Sequence, residues 1–462
     1  MNRRRVVVTG AGVAAPNGIG VRAFWESLAE GRSGIKPITI LDAAPYPTRF
    51  GGEISDFDPL NHFDKNEARK LDRFAQFALV ACREAVEQSK LGEAASQGSA
   101  DRIGVVFGSG MGGFTTIEEQ HRRLIEHGPR RVYPFLIPMM IVNIAAGEIA
   151  IRHGFKGPNT SMVSACTTGN HCLGYALRTI QCGDADAMVA GASEAGITHI
   201  ALAGFSIMRA LSTRNDDPSK ASRPFDKDRD GFVLSEGAGV LILEEHECAV
   251  RRGAPILAEI TGYAANSDAH HITAPCPYGE GARNVIRLAL ADAGLKPEDI
   301  DYINAHGTST QLNDKSETLA IKEVFGDHAR KVRISSTKSV HGHLLGAGAA
   351  VEAVACVQAL RDNVVPPTIN YTTPDPDCDL NYTPNVKVSH PIRHAMSNAF
   401  GFGGHNASII FKKYGNDSPP LPPKGGEDER SSGEGGAAGA DRGLPPSPQP
   451  SPASGGRGGI PE

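Results

Sequence analysis

No apolar stretch of this sequence runs uninterrupted far enough to cross a bilayer; the best candidate, residues 137–146, is broken by Asn143. No membrane association is expected. The opening MNRRRVVVTG sets arginines before an apolar run, as a secretory signal does, but the run stops at Thr9 and Gly10, short of a signal-peptide core. An unsecreted, cytoplasmic protein is the expectation. There is no basic excess either: 47 Lys and Arg against 52 Asp and Glu leave a formal charge of −5, unlike the strongly basic balance of a nucleic-acid binder. Nucleic acid is not an expected partner. The eight cysteines include no CxxC pair and no cysteine-histidine cluster at metal-ligand spacing, which argues against a disulfide or zinc framework. Aromatic residues vanish from Gly415 onward, where Pro, Gly, Ser and charge take over. With almost nothing to bury, residues 415–462 are expected to be a disordered tail. Its Pro419-Pro420-Leu421-Pro422-Pro423-Lys424 run formally fits a proline-rich recognition peptide but reads, in that composition, as solvated chain.

What is present is a chain of 462 residues, 40% hydrophobic, large enough to bury a core of enzyme scale in two fused halves. Short apolar runs at 5–9, 103–108, 187–191, 240–244, 300–304, 332–335 and 409–411 read as strands. Between them, 70–89 and 279–293 carry apolar residues at helical spacing. Such alternation predicts α/β layers.

Three constellations carry chemistry. Val163-Ser164-Ala165-Cys166-Thr167-Thr168-Gly169-Asn170-His171 precedes a helical face of Cys172, Leu173, Ala176, Leu177 and Ile180, which puts Cys166 at a strand-to-helix turn. Free amides and the positive end of the helix dipole favour thiolate there, and small polar neighbours would expose it; Cys172 and Cys182 read as inert. The second constellation, Asn304-Ala305-His306-Gly307-Thr308-Ser309-Thr310, places His306 at a strand end among hydroxyls. That position suits a hydrogen-bond donor to substrate and equally suits a histidine that caps the strand. The third is Ser336-Thr337-Lys338-Ser339-Val340-His341-Gly342-His343, running into a helix of glycine and alanine fit for close backbone packing. Its HxH spacing lacks a third ligand nearby, so no metal is expected. Gly10-Ala11-Gly12 mimics a dinucleotide fingerprint, but Pro16, Asn17 and Gly18 interrupt the helix that would receive a pyrophosphate.

Cys166, His306, Lys338 and His343 in that order, with Gly401-Phe402-Gly403-Gly404 after them, resemble the β-ketoacyl-acyl-carrier-protein synthases, most nearly the bacterial synthase II pattern. The likeness runs from about residue 5 to 414, through segments such as 210–216, 223–243 and 366–370, and leaves out the tail. It implies a thiolase-like α/β fold of two similar halves in five αβαβα layers, divided as 1–255 with the nucleophile and 256–414 with the histidine pair and phenylalanine gate. It also implies a homodimer, an acyl-carrier-protein partner, no cofactor, and a decarboxylative Claisen condensation that lengthens an acyl chain by two carbons. In this resemblance Cys166 is the nucleophile, His306 and His343 donate to the malonyl thioester oxygen, and Lys338 orients them while pairing with Glu352. The amides of Cys166 and Phe402 form the oxyanion hole, and Phe402 is the gate. Thr308 and Thr310 bind the pantetheine arm, Asp314 and Glu317 give structural support, and Met111 and Phe205 line the acyl pocket. Arg69, Lys70, Arg130, Arg131 and Arg209 match the surface that docks an acidic carrier protein, although each alone also fits ordinary solvated charge. Two positions depart from the usual pattern, His341 and His405, each standing where a threonine is common. They leave open a ketosynthase for a specialised acyl chain or polyketide. A non-catalytic chain-length partner subunit is disfavoured by the presence of Cys166.

Overall fold

The computed structural model describes residues 3–415, so the tail expected at 415–462, with its Pro419–Lys424 run, lies outside the described residues but for Gly415. Five strands of the first half are β1 (Val6–Ala15), β2 (Ile103–Gly108), β3 (Asn159–Thr160), β4 (Ala187–Glu194) and β5 (Gly237–Glu245). Five of the second are β6 (Ala258–Ser267), β7 (Tyr302–Asn304), β8 (Arg333–Ser335), β9 (His394–Gly401) and β10 (His405–Lys413). The first set runs β3-β2-β4-β5-β1 and the second β8-β7-β9-β10-β6. In each, the first three strands are parallel and the last two antiparallel. The sets share one topology and are stitched edge to edge where Val6, Val7 and Val8 of β1 pair with Ile260, Glu259 and Ala258 of β6.

Helices sort into three layers about these strands. α1 (Arg73–Ser89) covers β1 and β5 from outside, burying Phe74, Phe77, Ala81 and Ala85. α2 (Thr168–Cys182) and α5 (Gly348–Asp362) lie between the two sets, and each touches strands of both halves. α3 (Glu280–Ala293) lies on the far side against β6 and β10, with α4 (Gln311–Phe325) beside it. This is the αβαβα arrangement, and α5 is accordingly buried along nearly all its length: only Arg361 and Asp362 are exposed among its residues, whose small side chains bring backbones close. A Cβ on Gly169 of α2 would stand 2.3 Å from the amide nitrogen of Ala350.

The glycines of the dinucleotide-like stretch have the same use. Gly10 and Gly12 lie inside β1, and a Cβ at these positions would meet the carbonyl oxygens of Ala85 and Ala81 at 2.2 and 1.8 Å. They let α1 sit on the strand, which runs on to Ala15, so no helix N-terminus stands directly after them to receive a phosphate. The run expected at 5–9 thus extends to Ala15. β6 and β9, absent from the sequence reading, carry few large apolar residues and so leave little periodic signal. Among the described residues no helix is long and apolar enough to cross a membrane.

Candidate active site

The turn that carries Cys166 follows β3. Residues Ala165–Thr167 make one tight helical turn that feeds α2, and Ala165 takes φ +50°, a left-handed conformation unusual for a residue with a Cβ. Hydroxyls hold the turn: Thr167 Oγ1 donates to Ser164 O at 2.6 Å, and Thr168 Oγ1 accepts from Ser164 N at 2.9 Å while donating to Ala165 O at 2.8 Å. Cys166 is partly exposed to a cavity of roughly 450 Å³. The expected thiolate is not its resting form. Burial pushes the thiol up to about 11, outweighing the charge of Lys338 and the amide of Phe402, both of which favour the anion. The dipole of α2 acts on a sulfur already largely desolvated, which is why the sequence expectation fails.

His306 follows β7 and lines the same cavity. Its loop hangs on a buried carboxylate: Glu317 of α4 accepts from His306 N at 2.9 Å and from Gly307 N at 2.8 Å. Burial raises Glu317 to about 7 against those two donors. Asp314, one turn earlier, accepts from Phe225 N at 2.8 Å and faces Arg229 Nε at 3.6 Å. Arg229 in turn donates to Thr310 O at 3.0 Å, so the hydroxyl pair Thr308 and Thr310, 2.9 Å apart at the cavity wall, is held from behind.

Lys338 and His343 follow β8. Lys338 is fully buried, hydrogen-bonded to Glu352 Oε1, and stands 3.4 Å from His306 Nδ1. An ammonium can only donate, so His306 Nδ1 accepts and its proton resides on Nε2. The rings of His306 and His343 meet edge to face at 5.5 Å. Burial first, then the charge of Lys338, hold both imidazoles well below the ordinary histidine range, so both are neutral at pH 7. Two neutral imidazoles on one wall offer N–H donors without a competing charge of their own. His341 does not join them: its Nε2 lies 3.0 Å from Thr337 Oγ1 and its Nδ1 2.8 Å from Gly342 O, so the HxH pair diverges.

The glycine-rich segment is the tight turn between β9 and β10. Gly403 and Gly404 take φ +86° and +76°, which favours glycine. A Cβ on Gly401 would stand 3.0 Å from Ser164 O and 3.1 Å from Cys166 N, so the turn lies directly on the Cys166 loop. Phe402 is half-buried at the cavity and its backbone reaches Cys166. Met111 and Phe205 line the apolar end, and Arg209 the mouth; Arg69, Lys70, Arg130 and Arg131 are exposed and outside the cavity.

Sequence reading missed the supports of the glycine-rich turn. Asp268 accepts from Asn406 Nδ2 at 2.6 Å and from Cys276 N at 3.0 Å, and its own N–H donates to Gly404 O at 2.8 Å. Gly403 N also donates to Ile272 O at 2.7 Å. Asp268 lies in a polar loop with no periodicity, and only its place beside a second titratable cluster, His270 and His271, set it apart. His405 is exposed, its ring 6.2 Å from that of His171, whose burial lowers it to about 4.

Comparison with known proteins agrees with this geometry. Residues 3–249 match the family model of the β-ketoacyl synthase N-terminal domain, and 257–372 that of the C-terminal domain. A 3-oxoacyl-[acyl-carrier-protein] synthase 2 of Synechocystis sp. is 52% identical over 414 residues, covering 90% of this chain and 99% of the relative. One from Staphylococcus aureus is 50% identical over 411 residues, with 89% and 99% covered. Among solved structures, a type II PKS ketosynthase in complex with its acyl-carrier protein and bound to a hexaketide is similar at a TM-score of 0.83 and 36% identity, covering 90% of this chain and 100% of that one. A β-ketoacyl synthase from Burkholderia phymatum gives 0.82 and 35%, with 89% and 100% covered. The chain belongs to the β-ketoacyl synthase family of acyltransferases.

Proposed function

We infer that this chain is a condensing enzyme of the 3-oxoacyl-[acyl-carrier-protein] synthase II type, which extends acyl chains by two carbons in fatty-acid synthesis. Relatives of that name are 50–52% identical, whereas the polyketide ketosynthase is 36% identical, which favours the fatty-acid role. The observation that carries the mechanism is a single cavity holding Cys166 beneath the Phe402 backbone and two neutral imidazoles.

In the first half-reaction Cys166 Sγ bonds to the thioester carbon of the acyl-carrier protein. The carrier thiol departs with the proton that the cysteine loses. The Cys166 and Phe402 amides stabilise the oxyanion between these events, and the thiol need ionise only as it attacks. In the second, malonyl-carrier protein enters along Thr308 and Thr310 and loses CO2. Nε2–H of His306 and the ring N–H of His343 donate to the enolate oxygen as its charge develops. The enolate carbon then attacks the acyl-Cys166 carbonyl, the C–S bond breaks, and the thiolate released takes a proton from solvent to restore the thiol. Lys338 fixes the His306 tautomer, with Glu352 behind it, while Asp314 and Glu317 position the loops.

The carrier protein docks on Arg69, Lys70, Arg130, Arg131 and Arg209; the exposure of all five supports this. The working unit is a cytoplasmic homodimer, and the division between halves falls at 255/256, ahead of β6. Replacing Cys166 by Ala tests the core of the reading. Condensation and acyl transfer to the protein should both vanish while the far-ultraviolet spectrum stays native. An acyl adduct persisting in intact-protein mass spectrometry would sink the assignment.

A further inference from the structure

His341 is the member of the HxH pair that the reaction leaves unused, and it stands where a threonine is common. It is fully buried at the end of the short helical turn Lys338–His341, two residues before His343. Burial first, then the charge of Lys338, lowers it to about 3, so the ring is neutral: one nitrogen donates and the other accepts. The partners decide which. Gly342 O can only accept, so Nδ1, 2.8 Å away, carries the proton, and Nε2 accepts from Thr337 Oγ1 at 3.0 Å. Thr337 Oγ1 lies in turn 3.4 Å from Asn304 Nδ2, at the end of the strand that leads to His306. Both nitrogens of His341 are engaged, and its ring has one orientation.

Gly342 is where that orientation matters. It takes φ +73° and ψ −166°, and a Cβ there would stand 2.1 Å from Ser235 Oγ, so the position demands glycine. Glycine has little conformational preference of its own, and the peptide it shares with His343 has to be held by bonds. His343 N donates to Val233 O at 2.7 Å, and the carbonyl of the same peptide is the one that His341 Nδ1 binds. Ser235 Oγ donates to His341 O at 2.7 Å and secures the main chain of His341 itself. The ring of His343 has no comparable tie. Its buried Nδ1 has no hydrogen-bond partner among the described residues, and the ring packs edge to face on Phe232 at 5.2 Å and on His306 at 5.5 Å. Its direction is inherited from the peptide that precedes it.

We propose that His341 is a positioning residue for the decarboxylation half-reaction, which clamps the Gly342–His343 peptide and so aims the ring of His343 into the cavity beside that of His306. This rests on the reading of His343 as a hydrogen-bond donor to the enolate. His341 does not line the cavity and touches no substrate; it acts through His343 alone. Acylation of Cys166, which does not use His343, is indifferent to it.

The test compares two amides at position 341. Asparagine places an N–H at the level of Nδ1 and can still donate to Gly342 O, whereas glutamine reaches only the level of Nε2 and leaves that carbonyl without its donor. CO2 release from malonyl-carrier protein, and acylation of Cys166 followed by intact-protein mass spectrometry, are measured for His341→Asn, His341→Gln, His343→Ala and the His341→Gln/His343→Ala pair. His341→Gln should lower kcat for CO2 release about tenfold, less than the about hundredfold that follows a misplacement of about 1 Å, while His341→Asn stays within about twofold of the wild type. KM for malonyl-carrier protein and the acylation rate should not change in either. On top of His343→Ala, His341→Gln should cost nothing further, because an effect exerted through the His343 ring disappears with that ring. Equal losses in both half-reactions, equal effects of Asn and Gln, a further loss in the double variant, or a Gln variant that does not fold would overturn the proposal. Unimpaired CO2 release by His343→Ala alone would instead refute the donor reading beneath it.

Discussion

Lys338→Met separates two consequences of one buried charge. The ammonium is fully buried and serves Glu352 Oε1 on one side and His306 Nδ1 on the other. Removing one partner of a buried ion pair costs about 3–5 kcal/mol when the other stays charged. Glu352, however, is pushed up to about 7 by burial even with Lys338 opposing it. Below that pH it carries its proton in both chains, and methionine fills the lysine's place at little cost. A carboxyl group whose folded pKa lies above its unfolded value of about 4.5 contributes stability fully below the unfolded pKa and loses it as pH rises. In the wild type that loss levels off near pH 7, where the ionised carboxylate has Lys338 beside it. In the variant the folded pKa is higher still, and the loss continues at about 1.4 kcal/mol per pH unit. Urea unfolding should therefore show nearly equal stabilities at pH 6 and a gap of about 2 kcal/mol by about pH 8.5. Malonyl decarboxylation, measured as CO2 release, should fall about a hundredfold at every pH, because nothing then fixes the His306 proton on Nε2. A stability gap that does not change with pH would refute the protonation argument, and unimpaired CO2 release would refute the positioning one.

His343→Ala should slow decarboxylation by about a hundred- to a thousandfold and leave acylation of Cys166 nearly intact; equal losses in both half-reactions would show that the histidine serves the thiol. Phe402→Ala keeps the backbone amide, so acylation should persist while primer selectivity and the order of substrate entry relax in single-turnover measurements. Unchanged ordering in a folded variant would rule the gate out. Gly12→Ala drives a methyl group into the carbonyl of Ala81 and should destabilise the protein by about 3 kcal/mol, read by urea titration, with no change in substrate selectivity. A neutral effect would mean that α1 shifts freely on β1.

What the sequence revealed was local, and what it hid was tertiary. The turn at Cys166 is written in consecutive residues, small ones followed by a helical face, and the structure places it where that pattern put it. The protonation state of the same cysteine was not legible: the helix dipole belongs to neighbouring residues, but the burial that raises the thiol is a property of the folded chain. His306 alone was undecided between donor and cap, and only its approach to Lys338 and His343 gives it a chemical partner. Glu194 escaped notice because it binds backbone amides of distant loops, and Asp268 because it holds the amide of Cys276 and the side chain of Asn406, neither of which leaves a periodic trace.

The repeated topology explains why these distant pieces meet. In each half the three parallel strands end on the same side: the nucleophile turn follows β3, Glu194 closes β4, His306 follows β7, Lys338 and His343 follow β8, and Gly401 closes β9. Loops at strand ends can vary without disturbing the ladder that positions them. One copy of the repeat thus carries Cys166 and the other carries His306 and His343. What joins them is the middle layer, where Gly169 of α2 meets Ala350 of α5 with no room for a side chain between. The meeting of Cys166 and the two imidazoles on one cavity is therefore a property of helix packing: the glycine and alanine content of the central helices decides how near the two sets of strand ends can come.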